Sequence, residues 1–81
     1  MEAELRRLVR ESLSLAPGYW YSDMMLCRAV NNMLPRESKE SEILEACAWN
    51  LSKGFVDTRV SEDTDEREWK ITKDGIAKDN V

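Results

Sequence analysis

The second half of the chain constrains the fold most, because its apolar residues change their spacing at a single glycine. An apolar-periodic stretch over residues 43–51 runs into Gly54, and two alternating runs, 56–60 and 67–71, follow. Helical spacing before a glycine predicts a helix that ends there, since glycine adopts the left-handed conformation at little cost. Alternation predicts two strands of a hairpin. The polar run 61–66 between them predicts a solvent-exposed loop.

A first helix is predicted from Glu2 to about Leu15. Its apolar residues recur at helical spacing and form one stripe: Leu5, Leu8, Val9 and Leu13. Pro17 and Gly18 end this helix, because proline lacks the amide hydrogen and both residues favour turns.

A short strand and a second helix are predicted next. Residues 19–21 are β-prone but long enough for one edge strand only, with Trp20 expected in the core. Ser22 is suited to cap the second helix, which Pro35 closes. The inner face of this helix is predicted to consist of Leu26, Ala29, Val30 and Met33. The methionines are interpreted as core-filling residues: Met24, Met25 and Met33.

The third helix is predicted to begin at a cap formed by Ser38 or Ser41. Steps of 100° per residue place one group on the inner side: Ile43, Leu44, Cys47 and Leu51. The opposite side carries Ser38, Glu42, Glu45, Trp49 and Ser52. Trp49 does not fit a buried position in this pattern, so either its ring is exposed or the first helix or the chain terminus covers it.

Length and composition predict one cytoplasmic domain over residues 1–81. A chain of 81 residues with 42% hydrophobic content supports a single core. No apolar run approaches the roughly 20 residues that span a bilayer, and the first residues lack the pattern of a signal peptide. We therefore expect no membrane association.

Neither a metal site nor a cofactor is indicated. Cys27 and Cys47 stand apart without a Cys-x-x-Cys motif, and the chain has no histidine, so both are expected to be reduced, buried thiols. The loop carboxylates lack the order of a calcium-binding loop. A histidine, a glycine-rich phosphate loop and a nucleophile with an evident base are all missing from the sequence. We therefore predict a protein that is not an enzyme and takes no small-molecule substrate.

With these elements in place, the chain resembles the winged helix-turn-helix superfamily over nearly its whole length. Residues 43–56 are similar to the recognition helix of the superfamily and the glycine that ends it, although Leu51 stands three residues before Gly54 instead of the usual four. Residues 69–77 are similar to its closing pattern of an aromatic residue, an apolar residue, threonine and glycine. The resemblance implies an α+β winged helix, and small uncharacterised bacterial or prophage proteins often have this form.

The superfamily implies binding of duplex DNA, with the third helix in the major groove and the loop as a wing. The charges oppose this: residues 38–53 carry a net charge of −1 and residues 61–67 a net charge of −3. A DNA-associated transcriptional regulator therefore depends on cations elsewhere, brought together by a homodimer. The candidate DNA-binding residues are Arg6, Arg7, Arg10 and Lys39.

The alternative prediction is a protein interaction module that has kept the winged-helix frame and does not bind DNA. Trp49 would anchor a protein partner or a second copy of the chain, because tryptophan is enriched at interface hot spots. The adjacent aromatic residues could extend that surface, since three neighbours on one strand cannot all point inward. The candidate interface residues are Trp49, Glu45, Tyr19 and Tyr21.

Overall fold

The computed structural model describes residues 2–79, which form four helices and one three-stranded antiparallel sheet. The elements are α1 (Glu2–Ser14), β1 (Tyr21–Ser22), α2 (Asp23–Asn32), α3 (Glu40–Ser52), β2 (Val56–Val60), β3 (Arg67–Ile71) and α4 (Lys73–Asp79). β3 is the central strand, with β1 and β2 on either side. The predicted α+β class is therefore confirmed. β1 lies at the edge of the sheet as expected, but it consists of Tyr21–Ser22 instead of residues 19–21.

The hydrophobic core lies between the first three helices and the inner face of the sheet. The whole predicted stripe of α1 is buried, as are Leu26, Val30 and Cys27 of α2. The sheet contributes three residues: Val56, Trp69 and Ile71. Both cysteines are free and buried, as expected.

Local capping sets the ends of α2 and α3. The Ser22 hydroxyl accepts the Met25 amide hydrogen, so Ser22 caps α2 as predicted. At the end of α3, Gly54 has a φ of 75°, and the Phe55 amide donates to the Asn50 carbonyl at 2.9 Å. This hydrogen-bond pattern satisfies the last carbonyls of the helix and turns the chain into β2.

The predicted start of α3 is wrong in detail. Lys39 occupies the N-cap position, and the Glu42 carboxylate accepts its backbone amide hydrogen at 3.1 Å. Ser38 is engaged differently: its backbone amide donates to the Asn31 side chain at 2.8 Å. The loop between α2 and α3 is therefore fixed by an asparagine, and a glutamate in the first turn satisfies the helix start.

The predicted inner face of α3 is also wrong at one position. Leu51 is 40% exposed, whereas Asn50 is fully buried. The buried line of the helix passes through Ile43 and Cys47 to Asn50, because α3 packs against α1 along this side. The helix is thus rotated so that a polar residue enters the core.

The three methionines and Trp20 lie outside the core, contrary to prediction, and Val60 is exposed as well. Met24 is 63% and Met25 53% exposed, and Met33 is also exposed. Val60 is exposed because the far end of the β2–β3 hairpin extends beyond the helices that cover Val56. Trp20 is half-buried on the outer side of the sheet, where its ring lies between Arg59 and Lys70 at 4.2 and 4.8 Å. The Trp20 ring is therefore covered by two cationic side chains and is not packed in the hydrophobic core.

Thr72 connects the start of α4 to the loop that follows α3. The Thr72 hydroxyl donates to the Gly54 carbonyl at 2.7 Å and accepts the Gly75 amide hydrogen at 3.0 Å. Gly75 lies directly against the backbone carbonyl of Phe55, where a Cβ atom would overlap the carbonyl oxygen. The threonine and the glycine of the closing pattern thus join α4 to the end of α3.

Candidate interaction surface

The three arginines predicted to bind DNA from α1 are all engaged within the molecule. Arg6 lies 3.8 Å from the Glu2 carboxylate, and Arg7 lies 2.7 Å from Glu11. Arg10 is buried and forms a two-point contact with Asp79 at 3.0 and 3.1 Å. Arg10 is therefore not available for phosphate contacts, and the other two face carboxylates on their own helix.

Arg10 belongs to a buried polar network that joins three helices. Its guanidinium donates to the Asn50 side-chain oxygen at 3.0 Å. The Asn50 amide group donates to the backbone carbonyls of Arg6 and Ala46 at 3.1 and 2.9 Å. Every polar atom of the Asn50 side chain thus has a partner, which is the condition for burying an amide without a large cost. The network links α1, α3 and α4 through Arg10, Asn50 and Asp79.

Lys39, the fourth candidate DNA contact, is exposed at the N-cap of α3. Its sequence neighbours on α3 include Glu40 and Glu42 in the first turn. A cation at this position is thus accompanied by two carboxylates, and the start of the helix has no net positive charge.

Trp49 is half-buried and lies beneath two cations. Arg6 lies 4.5 Å and Lys53 5.6 Å from the centre of its ring, and Phe55 packs beside it at 6.0 Å. The first helix therefore does cover Trp49 through Arg6. Glu45 is exposed next to this position, in a cleft between α1 and α3 that also contains Glu2 and Glu42.

The two tyrosines behave differently from one another. Tyr19 is 70% exposed and precedes the sheet, whereas Tyr21 is half-buried and packs against the core. Tyr21 pairs with Trp69 in the β1–β3 register. The structure therefore does not bring the candidate interface residues together as one exposed surface. Trp49 on α3 and Tyr21 on β1 are both partly covered, and only Tyr19 is largely exposed.

A groove that we call the acidic groove lies where α2, α3 and β3 begin. It is lined by Ser22, Asp23, Met24, Glu40, Glu66 and Arg67. Three carboxylates therefore face one arginine, and Arg67 is already bound by Asp23 at 2.9 and 3.2 Å. The hydrogen bonds that Arg67 donates to the Asp23 carboxylate raise the pKa of Arg67. Glu40 and Glu66 remain as exposed carboxylates that form no ion pair within residues 2–79.

Asp23 holds the wall of the acidic groove in place. Besides Arg67, its carboxylate accepts the indole N–H of Trp69 at 2.6 Å. Trp69 is buried, so Asp23 supplies the partner that its indole requires. Hydrogen bonds of Asp23 thereby join the start of α2 to the central strand.

The residues that the sequence did not single out are Asn50, Asp79 and Asp23. Asn50 could have been found, because it continues the spacing of Ile43 and Cys47 along one helix face. Asp79 and its partner Arg10 are 69 positions apart in the sequence, and Asp23 is 44 and 46 positions from Arg67 and Trp69. No local sequence pattern contains these pairs.

Burial makes Cys47 a poor nucleophile. Loss of solvent, followed by the nearby Cys27, raises the pKa of Cys47 to about 12, and burial likewise raises the pKa of Cys27. We expect an alkylating reagent to label Cys47 of the folded protein near neutral pH far more slowly than the same thiol in denaturant, because the thiolate is the reactive form.

The same shift gives stability a pH dependence. A thiol whose pKa is higher in the folded than in the unfolded state stabilises the folded protein fully at pH values below the unfolded-state pKa. This stabilisation is lost as the pH rises toward the folded-state pKa. We expect Cys47 to remove about 1.4 kcal/mol of stability for each pH unit between about pH 9 and about pH 12. Urea unfolding at pH 8 and pH 10 measures this slope. A Cys47→Ala variant with an unchanged slope would contradict the assignment.

Comparison with known proteins gives no assignment. No protein family model matches the chain, and the search of curated proteins finds no match. No helix within residues 2–79 is long and apolar enough to cross a membrane. Across the same residues, no group of three or more Cys, Asp or Glu side chains is placed to hold a metal ion.

Proposed function

We propose that this protein is a non-enzymatic interaction module on a winged-helix frame, and that its acidic groove binds a basic protein surface. The order of the elements supports this frame, as does the packing of α3 against α1 with the β2–β3 hairpin following it. In such a frame α3 and the hairpin loop form the docking side. The acidic groove lies between the start of α3 and the base of that loop.

The charge of the acidic groove carries this proposal. Phosphate binding derives its affinity from cations that displace counterions, and a negative surface removes this gain and adds repulsion. Glu40 and Glu66 present two unpaired carboxylates where a DNA backbone would approach, and Arg67 is neutralised by Asp23. The α1 arginines do not compensate, because each of them faces a carboxylate. Duplex DNA is therefore a poor ligand for this side.

The same groove fits a lysine or arginine side chain of a partner. Such a side chain has an apolar stem and a charged end, and both parts find a match. Met24 offers an exposed thioether surface for the stem, and Glu40 and Glu66 offer carboxylates for the charge. Complementary charge of this kind speeds association and selects partners more than it adds affinity.

A labelled lysine-rich peptide tests this proposal by fluorescence anisotropy at about 50 mM salt, where screening is modest. The Glu40→Gln/Glu66→Gln variant is expected to bind about tenfold more weakly than the wild type, because both unpaired carboxylates of the groove are removed. The matched control is Glu4→Gln/Asp57→Asn, which removes the same charge from exposed positions outside the groove. Equal weakening by both variants would show a general charge effect and contradict the groove.

A further inference from the structure

An exposed apolar patch on α2 borders the acidic groove. Met24 and Met25 are more than half exposed at the start of the helix, although methionine side chains usually lie inside. Met24 is also part of the groove wall, beside Glu40 and Glu66. The apolar and the acidic surfaces are therefore continuous.

Arg28 adds an unpaired cation to this surface. It lies one helical turn after Met24 and is exposed. It forms no ion pair with any carboxylate of residues 2–79, which distinguishes it from the three arginines of α1. One patch thus carries an apolar centre, a free cation and two free carboxylates. We call Met24, Met25, Arg28, Glu40 and Glu66 the α2 patch.

We propose that the α2 patch binds a second copy of the chain. This inference rests on the proposed function, because it identifies the basic partner of the acidic groove as Arg28 of another copy. In a two-fold dimer the same patch meets itself, so each contact occurs twice. Met24 of the two copies would meet near the axis, and Arg28 of each would reach Glu40 and Glu66 of the other. This arrangement places the cation of each patch against the carboxylates of the other.

The dimer is expected to be weak and to depend on salt. A single helix face and one groove form a surface at the low end of specific interfaces, for which a Kd of about 10 µM to 1 mM is reasonable. Exposed ion pairs lose strength as salt screens them. Added salt should therefore shift the protein toward monomers.

Sedimentation equilibrium of the full chain over about 10 µM to 1 mM tests the dimer directly. Arg28→Glu is expected to weaken self-association at least about tenfold, because like charges then face each other. Adding Glu40→Arg to Arg28→Glu restores opposite charges and should recover most of the loss. Lys73→Glu is the control, since it makes the same charge change at an exposed site on α4. Met24→Asp tests the apolar centre independently of Arg28.

Three results would overturn the inference: a monomer throughout this range, equal effects of Arg28→Glu and Lys73→Glu, or no recovery in the charge-swapped variant. Circular dichroism of each variant verifies that the fold is kept. A monomeric protein that still binds the lysine-rich peptide through Glu40 and Glu66 would reject only the second copy as partner. A monomer that binds no peptide would reject the proposed function as well.

Discussion

Replacing Arg10 with alanine is expected to lower the free energy of unfolding by about 3 kcal/mol or more, because removing one partner of a buried ion pair leaves the other uncompensated. The Asn50 oxygen would lose its donor inside the core, and the carboxylate of Asp79 would lose its three hydrogen bonds from Arg10. The Asp79 side chain is 27% exposed, so water recovers part of this loss and the effect lies at the lower end of the range for such pairs. The contact between the guanidinium and the Phe55 ring, whose centre lies 5.6 Å from the Arg10 Cζ atom, would also be lost.

Urea unfolding followed by tryptophan fluorescence measures this effect. Arg7→Ala is the matched control, because Arg7 lies on the same helix and pairs with Glu11 at the surface. That variant is expected to cost no more than about 0.5 kcal/mol. If Arg10→Ala does not fold, Arg10→Lys keeps the charge without the two-point contact and remains measurable. Similar losses for Arg7→Ala and Arg10→Ala would contradict the network.

Replacing Gly75 with alanine is expected to destabilise the protein by about 1–3 kcal/mol, although alanine is the better helix former. The added methyl group would overlap the Phe55 carbonyl oxygen and lie 2.6 Å from the Ile71 Cδ1 atom. The carbonyl cannot move freely, because it accepts the Thr72 amide hydrogen at 3.1 Å. The helix α4 must therefore shift away from the end of α3.

Thermal unfolding with Lys73→Ala as a control measures this second effect. Lys73 is exposed in the same helix, so its change should stay within about 0.5 kcal/mol. An unchanged or higher melting temperature for Gly75→Ala would contradict the close approach of α4 to Phe55. Loss of stability in both variants would instead indicate that α4 is sensitive to any substitution.

The order of the elements could be predicted because local signals agree along the chain. Gly54 ends α3, Ser22 starts α2, and the alternating runs form the hairpin. Each signal depends on a few neighbouring residues and their backbone preferences. No tertiary information is required for them.

The site could not be predicted to the same extent, because side-chain partners lie far apart in sequence. Arginine is a residue type that usually lies at the surface, yet Arg10 is buried because Asp79 and Asn50 accept its hydrogen bonds. Met24 is a residue type that usually fills cores, yet its side chain is 63% exposed. Polar partners can thus override hydrophobicity at single positions while the helix and strand pattern stays the same.

The charge of the acidic groove could be anticipated in part. The negative net charges of the third helix and of the loop are visible in the sequence. The sequence does not show that Glu40 of the helix and Glu66 of the loop line the same groove. The pairing of Asp23 with Arg67 removes the cation that would otherwise balance Glu66. Geometry therefore strengthens the electrostatic argument against DNA instead of reversing it.

The most direct measurement is a titration of isotope-labelled protein with mixed-sequence duplex DNA at low salt, followed by backbone amide shifts. We expect no shifts at residues 38–53 or 61–67 up to about 0.5 mM DNA, a concentration above the usual range of non-specific binding constants. The lysine-rich peptide, added to the same sample, should shift the amides around Glu40 and Glu66. Salt-sensitive shifts on α3 and the hairpin loop with DNA, and none with the peptide, would contradict the proposed function.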